Sequence, residues 1–163
     1  MAANNQDVGF DVPMEMSVVI RNGVLLGSRP RSLKDLMTLR ALGVKTIVNV
    51  CEEDDAALLG GSSWFALQMS YRWFPVFDDG QDKELDWWKC GIEAIAHRVG
   101  VVAVHCVNGV ERSASLVYGY LRVSGFSRLQ AKSIIDIARP IDLIGIRYAM
   151  NFERLFNAAG GVL

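Results

Sequence analysis

The sequence predicts an α/β domain in which helices flank a central, mostly parallel, twisted sheet. Three observations carry this expectation. Val101-Val102-Ala103-Val104 is an unbroken apolar run without alternation, the pattern of a central parallel strand covered on both faces, and Val44 to Val50 reads as a second buried strand. Apolar residues at helical spacing fill the stretches between strands. The C-terminal third holds only helical stretches, so strands and helices first interleave and then give way to helices. In such sheets, functional loops lie at the carboxyl ends of the strands.

Taken in order, the first sixteen residues are polar enough to form a loosely held arm, and residues 17–163 form a single domain. Ser17 to Arg21 and Gly23 to Gly27 read as two short strands joined at Asn22-Gly23, a dipeptide suited to a tight hairpin turn. Ser32 and Asp35 have the spacing of a capping box. Leu33, Leu36, Leu39 and Leu42 then recur near the helical period, and Gly43 is placed to end that helix in the left-handed conformation. The segment from Glu52 to Gln68 is acidic, is interrupted by Gly60-Gly61 and carries no assignment. Ser70 to Val76 reads as a strand. Leu85, Trp88, Ile92, Ile95 and Val99 share one helical face, closed by Gly100. Three more helices follow: Ser113 to Ser124 before Gly125, Ser127 to Arg139 before Pro140, and Ile144 to Ala159 before Gly160-Gly161. Ser127 and Gln130 repeat the capping-box spacing.

Composition narrows the function classes. With 51% hydrophobic and 21% charged residues, the 163-residue chain has the material for one core, which excludes whole-chain disorder. Lys and Arg number 17 against 18 Asp and Glu, for a net charge of −1, and no basic stripe appears, so no nucleic-acid partner is expected. Three cysteines, none in metal-ligand spacing, argue against a disulfide framework or a metal site and for a reducing compartment. The N-terminus lacks a signal-peptide pattern, and no apolar run approaches the about 18 residues of a membrane span. The expected location is therefore the cytoplasm, or the nucleus, with no membrane partner and with a monomer as the default state.

The chemistry concentrates in His105-Cys106-Val107-Asn108-Gly109-Val110-Glu111-Arg112-Ser113, at the point where an apolar strand ends and a helix begins. Backbone N–H groups of a strand-to-helix loop converge at the positive end of the helix dipole, which makes an anion cradle. A thiol held there is stabilised as thiolate, its pKa lowered from about 8.5 into a range of roughly 3.5 to 7.5, which marks Cys106 as a nucleophile. Five residues carry the chain from Cys106 around one anion to Arg112, whose guanidinium forms a bidentate fork on two oxygens. Gly109 lets the backbone turn inward where a side chain would crowd the ligand. The Ser113 hydroxyl can hydrogen-bond the sulfur when it leaves.

His-Cys, five residues and Arg-Ser resemble the signature loop of the cysteine-dependent protein phosphatases in its dual-specificity form. The resemblance runs from Ile20-Arg21-Asn22-Gly23-Val24-Leu25-Leu26-Gly27-Ser28, through Leu42 to Val50, to Arg139-Pro140. It implies a small, catalytic-domain-only hydrolase acting on phosphotyrosine and phosphoserine or phosphothreonine of a protein substrate. The thiolate would take the phosphoryl group as phosphocysteine, water would release phosphate, and no cofactor or metal would be needed. Residues Val107, Asn108, Gly109, Val110, Glu111 and Arg112 would bind the phosphate. The departing alcohol needs a proton. Relatives place the acid a few residues after a Pro-containing strand end, which selects Asp78, with Asp79 the alternative because an Asp-Gly turn could tip its carboxylate inward. Cys51, at the end of the neighbouring strand, resembles the partner with which some superfamily members form a protective disulfide to the nucleophile; a buried, free thiol is the other reading.

His105 is expected to hydrogen-bond the loop backbone and support the thiolate. Glu111 is expected to point into solvent, and Arg128, Lys132 and Arg139 read as scattered helix charges. The valines at 107 and 110, where lipid-directed relatives often carry lysines, favour a protein substrate. An RNA 5′-phosphate, a phosphoinositide, a sulfur-transfer reaction and phosphoprotein binding without turnover remain as other readings of the same loop.

Overall fold

The computed structural model describes residues 14–20, 23–60, 67–139 and 148–163. Five strands form one sheet in the order β1-β2-β5-β3-β4, with β1 Met16–Ile20, β2 Val24–Gly27, β3 Val44–Asn49, β4 Ser70–Trp73 and β5 Val101–His105. Only β1 pairs antiparallel, on β2; the remaining pairs are parallel. The α/β expectation therefore holds, with β5 at the centre between β2 and β3. Registers Leu26↔Val104 and Val48↔Val104, with Gly27↔His105 and Asn49↔His105, bring the three strand ends level at one edge.

The alternation of side chains along each strand divides the apolar residues between two layers. Leu25, Ile47 and Ala103 meet Leu36 and Leu39 of α1 (Leu33–Ala41) on one face. Val24, Leu26, Val48, Val102 and Val104 meet the other helices on the opposite face. That layer contains α3 (Leu85–Ala96), α4 (Arg112–Val123), α5 (Arg128–Ala138) and α6 (Ala149–Ala158); α2 (Asp55–Leu59) is one short turn after β3. Trp88 of α3 and Phe152 of α6 are fully buried, with ring centroids 5.2 Å apart.

The cap signals act as expected. Ser32 and Asp35 form a reciprocal capping box, as do Ser127 and Gln130. Gly43 takes φ +86° just past α1. Beyond one-residue shifts at element ends, four features differ from the sequence reading. The β4 strand stops at Trp73 because only Thr46 to Asn49 of β3 is there to pair with it. Helix α3 ends at Ala96, and Val99 is 77% exposed beyond it. Leu33 and Leu42 lie half-exposed at the ends of α1, so only its middle leucines reach the core. The unassigned segment supplies α2. The turn residue Asn22, the proposed start of the last helix at Ile144, and most of the N-terminal arm lie outside the described residues; α6 is described from Ala149. Met14 and Glu15 precede β1, and Glu15 exchanges hydrogen bonds with Ser28.

Glu153 of α6 ties the helical layer together. Its carboxylate accepts from Tyr118 Oη and Arg122 Nε, both at 2.6 Å. Burial pushes the carboxyl up, but the Arg122 and Tyr118 hydrogen bonds outweigh it and hold Glu153 below the ordinary glutamate value. A depressed acid contributes stability above its unfolded pKa and loses it as pH falls through the folded one. Urea unfolding is accordingly expected to show the largest gap between wild type and Glu153→Gln near neutral pH, shrinking once pH drops below about 4.3.

Candidate active site

The level ends of β2, β3 and β5 create the place where the site forms, and each contributes the loop that follows it. Cys106 follows β5 directly and is 3% exposed. Val107 to Glu111 turn around to Arg112, the first residue of α4. Ser113, one residue into that helix and fully buried, donates its hydroxyl to Cys106 Sγ at 3.2 Å, as the sequence suggested.

Two arginines shape the loop from outside. Arg29 N–H donates to the Val107 carbonyl at 3.1 Å, and Arg139 Nη2 donates to the Asn108 carbonyl at 3.0 Å. In a trans peptide the following N–H points opposite to the carbonyl, so the Asn108 and Gly109 N–H groups face away from these arginines. Arg139 is thus no scattered surface charge: it is 5% exposed and also pairs with Glu15 at 3.3 Å. Gly109 has φ +70°, and a Cβ there would lie 2.3 Å from the Gly27 backbone. Its smallness is needed because the loop packs on the end of β2, a different reason from the ligand crowding expected. Glu111 is half-buried at the N-cap position and its side chain does not cap α4.

Arg112 has a side chain only 5% exposed and is met by two carboxylates from two other loops. Nη1 donates to Glu52 Oε2 at 2.5 Å and to the Val76 carbonyl at 3.1 Å. Asp78 Oδ2 lies 3.6 Å from Nε, which is left without a hydrogen bond. Burial pulls the guanidinium down, but the Glu52 hydrogen bond and the charges of Cys106, Glu52 and Asp78 hold it above its ordinary value. The second oxygen of Glu52 accepts from the Asp78 N–H at 3.3 Å. Burial pushes Glu52 up, and hydrogen bonds from its own backbone N–H, the Arg112 guanidinium and the Asp78 N–H outweigh this and hold it below the usual carboxylate range.

The two candidate acids separate. Asp78 faces Arg112, whereas Asp79 turns out to Lys83 Nζ at 2.6 Å, a hydrogen bond that holds its carboxyl low. Lys83 Nζ also donates to the Phe77 carbonyl at 2.8 Å, so the loop is wrapped around this ammonium.

His105 is fully buried behind the nucleophile, and its Nδ1 donates to the Cys106 carbonyl at 3.3 Å, the backbone bond expected. Its Nε2 lies 2.8 Å from Asp55 Oδ2, a close contact off the hydrogen-bond axis. Asp55 in turn accepts from Arg29 Nε at 2.6 Å. Asn49, at the end of β3, builds the loop that presents Glu52 and Asp55: its Oδ1 accepts from Cys51 N–H at 2.7 Å and its Nδ2 donates to the Glu53 carbonyl at 2.9 Å. Sequence reasoning missed Glu52, Asp55 and Arg29, all distant from the signature loop; the acidic run after a buried strand was the one visible signal.

Cys51 is buried in the same apolar cluster as Cys106. Burial pushes its thiol up to about 12, the neighbouring Cys106 and Asp55 charges adding to this against Arg29 and Arg112. Among the described residues, no group of three His, Cys, Asp or Glu side chains is placed to hold a metal ion. At mildly alkaline pH, iodoacetamide is expected to alkylate exposed Cys90 and leave Cys51 unmodified in the native protein, read by peptide mass spectrometry. Equal labelling of the two would contradict the burial of Cys51.

No protein-family profile matches the chain. The chain is 32% identical over 135 residues to the curated mouse (Mus musculus) protein named dual specificity protein phosphatase 19, a match that covers 80% of this chain and spans 58% of that relative's length. Among solved structures, the human tyrosine phosphatase-like serine/threonine/tyrosine-interacting protein superposes with a TM-score of 0.73 at 18% identity, over 88% of this chain and 97% of the other. PTPMT1 in complex with PI(5)P superposes with a TM-score of 0.66 at 21% identity, over 88% and 98%. The sheet order, the strand–loop–helix turn at Cys106 and these likenesses together give the chain a small dual-specificity-phosphatase-like fold.

Proposed function

We propose that this chain is a cysteine-dependent phosphatase that removes phosphate from phosphotyrosine and phosphoserine or phosphothreonine of proteins through a phosphocysteine. The observation that carries the reading is Cys106 Sγ bonded by Ser113 in the first turn of α4, together with a buried Arg112 whose Nε has no hydrogen bond. Likeness to dual specificity protein phosphatase 19 supports the hydrolase class.

In the first step, Cys106 Sγ attacks phosphorus, the P–O bond to the substrate breaks, and Asp78 gives its proton to the departing oxygen. The Asn108 and Gly109 N–H groups and Arg112 hold the equatorial oxygens, and Glu52 yields its place on Arg112 to the phosphate. In the second step, Asp78 takes a proton from water as the water oxygen attacks phosphorus and the S–P bond breaks. Ser113 then donates to the leaving thiolate, consistent with its 3.2 Å contact. Asp78 is the acid because its carboxylate faces Arg112 while Asp79 is held by Lys83.

PTPMT1 in complex with PI(5)P favours a second reading, hydrolysis of a phosphoinositide. The Glu52 and Asp78 carboxylates at Arg112 weigh against a headgroup carrying several phosphates. Turnover of phosphopeptides above that of phosphoinositide vesicles supports the first reading, and the opposite ratio supports the second.

On para-nitrophenyl phosphate, Cys106→Ser is expected to abolish turnover, and EDTA to leave it unchanged. With phosphopeptides, Asp78→Asn is expected to lower kcat about 100-fold and Asp79→Asn less than about threefold. Equal losses would remove the assignment of Asp78.

A redox control follows from the placement of Cys51 in the Cys106 cluster. Peroxide oxidises the Cys106 thiol to a sulfenic acid with release of one water, and the Cys51 thiol then displaces a second water to form the disulfide. Dithiothreitol is expected to restore activity to peroxide-treated wild type but not to Cys51→Ser. Equal recovery of both would rule the disulfide out.

A further inference from the structure

Tyr148 lies 70 residues from Asp78 in the chain and is 1% exposed, yet its hydroxyl lies 2.9 Å from Asp78 Oδ1. The same oxygen is 3.1 Å from the Gly80 N–H. An amide N–H can only donate, so the phenol oxygen accepts there and directs its single O–H at the carboxylate. The ring has little freedom: Lys83 Nζ lies 4.7 Å from its centroid, while Lys83 itself holds Asp79 and the Phe77 carbonyl. Tyr148 thus grips the acid loop at two points.

The two carboxylate oxygens of Asp78 are made unequal by this contact. Oδ1 is occupied as an acceptor by the phenol; Oδ2 is the oxygen 3.6 Å from Arg112 Nε, on the phosphate side. A protonated carboxylic acid bonded in this way carries its hydrogen on the oxygen that is not accepting. We propose that Tyr148 is a positioning residue for the acid: by donating to Oδ1 it confines the transferable proton of Asp78 to Oδ2 and orients it toward the departing oxygen. This inference rests on Asp78 being the acid. The charged groups around Asp78 are Arg112 from α4, Glu52 on its N–H, and Asp79 and Lys83 from its own loop.

A positioned proton matters only when the leaving group needs one. The test therefore compares kcat/KM for aryl phosphates whose phenols range from strongly acidic to weakly acidic, in wild type, Tyr148→Phe, Asp78→Asn and the double variant. Phenylalanine keeps the ring and removes only the O–H. The expected result is near wild-type kcat/KM for Tyr148→Phe with the most acidic phenol, which also reports an intact fold, and a loss of about tenfold with the least acidic one. In the Asp78→Asn background, removal of the hydroxyl should have no further effect. If Asp78→Asn steepens the leaving-group dependence but Tyr148→Phe does not, or if Tyr148→Phe loses equally on every substrate, the positioning role is overturned. If Asp78→Asn itself leaves the dependence unchanged, the acid assignment fails instead, and the Tyr148 proposal falls with it.

Discussion

The rest of the site is arranged around one buried cation. Arg112 is almost wholly removed from water, and a charge in that position is costly unless partners and hydrogen bonds replace its hydration. The replacements come from two other strand ends: Glu52 from the loop after β3, and Val76 and Asp78 from the segment after β4. The guanidinium joins these loops alongside their direct bonds, Asp78 N–H to Glu52 and Trp73 Nε1 to the Cys51 carbonyl. Compensation is left incomplete at Nε, and the Glu52 carboxylate occupies a position that an oxyanion with the same charge-assisted geometry can take. A site with its cation buried but not saturated is ready for an anion without having collapsed onto itself.

A second buried cluster lies beneath it. Asp55 joins Arg29 and His105, and His105 in turn reaches the Cys106 carbonyl, so the nucleophile and the residue before it are anchored from the core. Arg29 also bonds the loop through its own N–H, and Arg139 adds a second outside grip. The loop conformation is therefore set by Arg29 just after β2, Asp55 of α2 and Arg139 at the end of α5, with Gly109 giving way to Gly27 where backbones meet. Preorganisation of this kind spares the protein reorganisation at the moment an oxyanion develops.

How much of this was legible in the sequence follows from distance along the chain. The central strands, both capping boxes and the loop from Cys106 to Ser113 are local patterns, and each was readable from neighbouring residues. The choice between Asp78 and Asp79 was not, because both stand in the same acidic loop and only Lys83 and Arg112 separate them in space. Arg139 looked like one of several helix charges, since nothing nearby in sequence announces that Asn108 lies against it. Glu52 and Asp55 are single polar residues whose meaning depends on which strand ends the parallel sheet brings level, and Tyr148 meets Asp78 only because the last helix packs beside the acid loop. Strand boundaries failed for a similar reason: β4 is as long as its partner permits.

The account's central claim is that Cys106 carries the phosphoryl group between the two steps. Its most direct test is rapid acid quench of the enzyme during turnover of a radiolabelled phosphopeptide, followed by peptide mapping. The account predicts an acid-trapped phosphoryl adduct on the peptide containing Cys106, absent from Cys106→Ser. Turnover without any label on that peptide, or label retained in Cys106→Ser with activity intact, would contradict it.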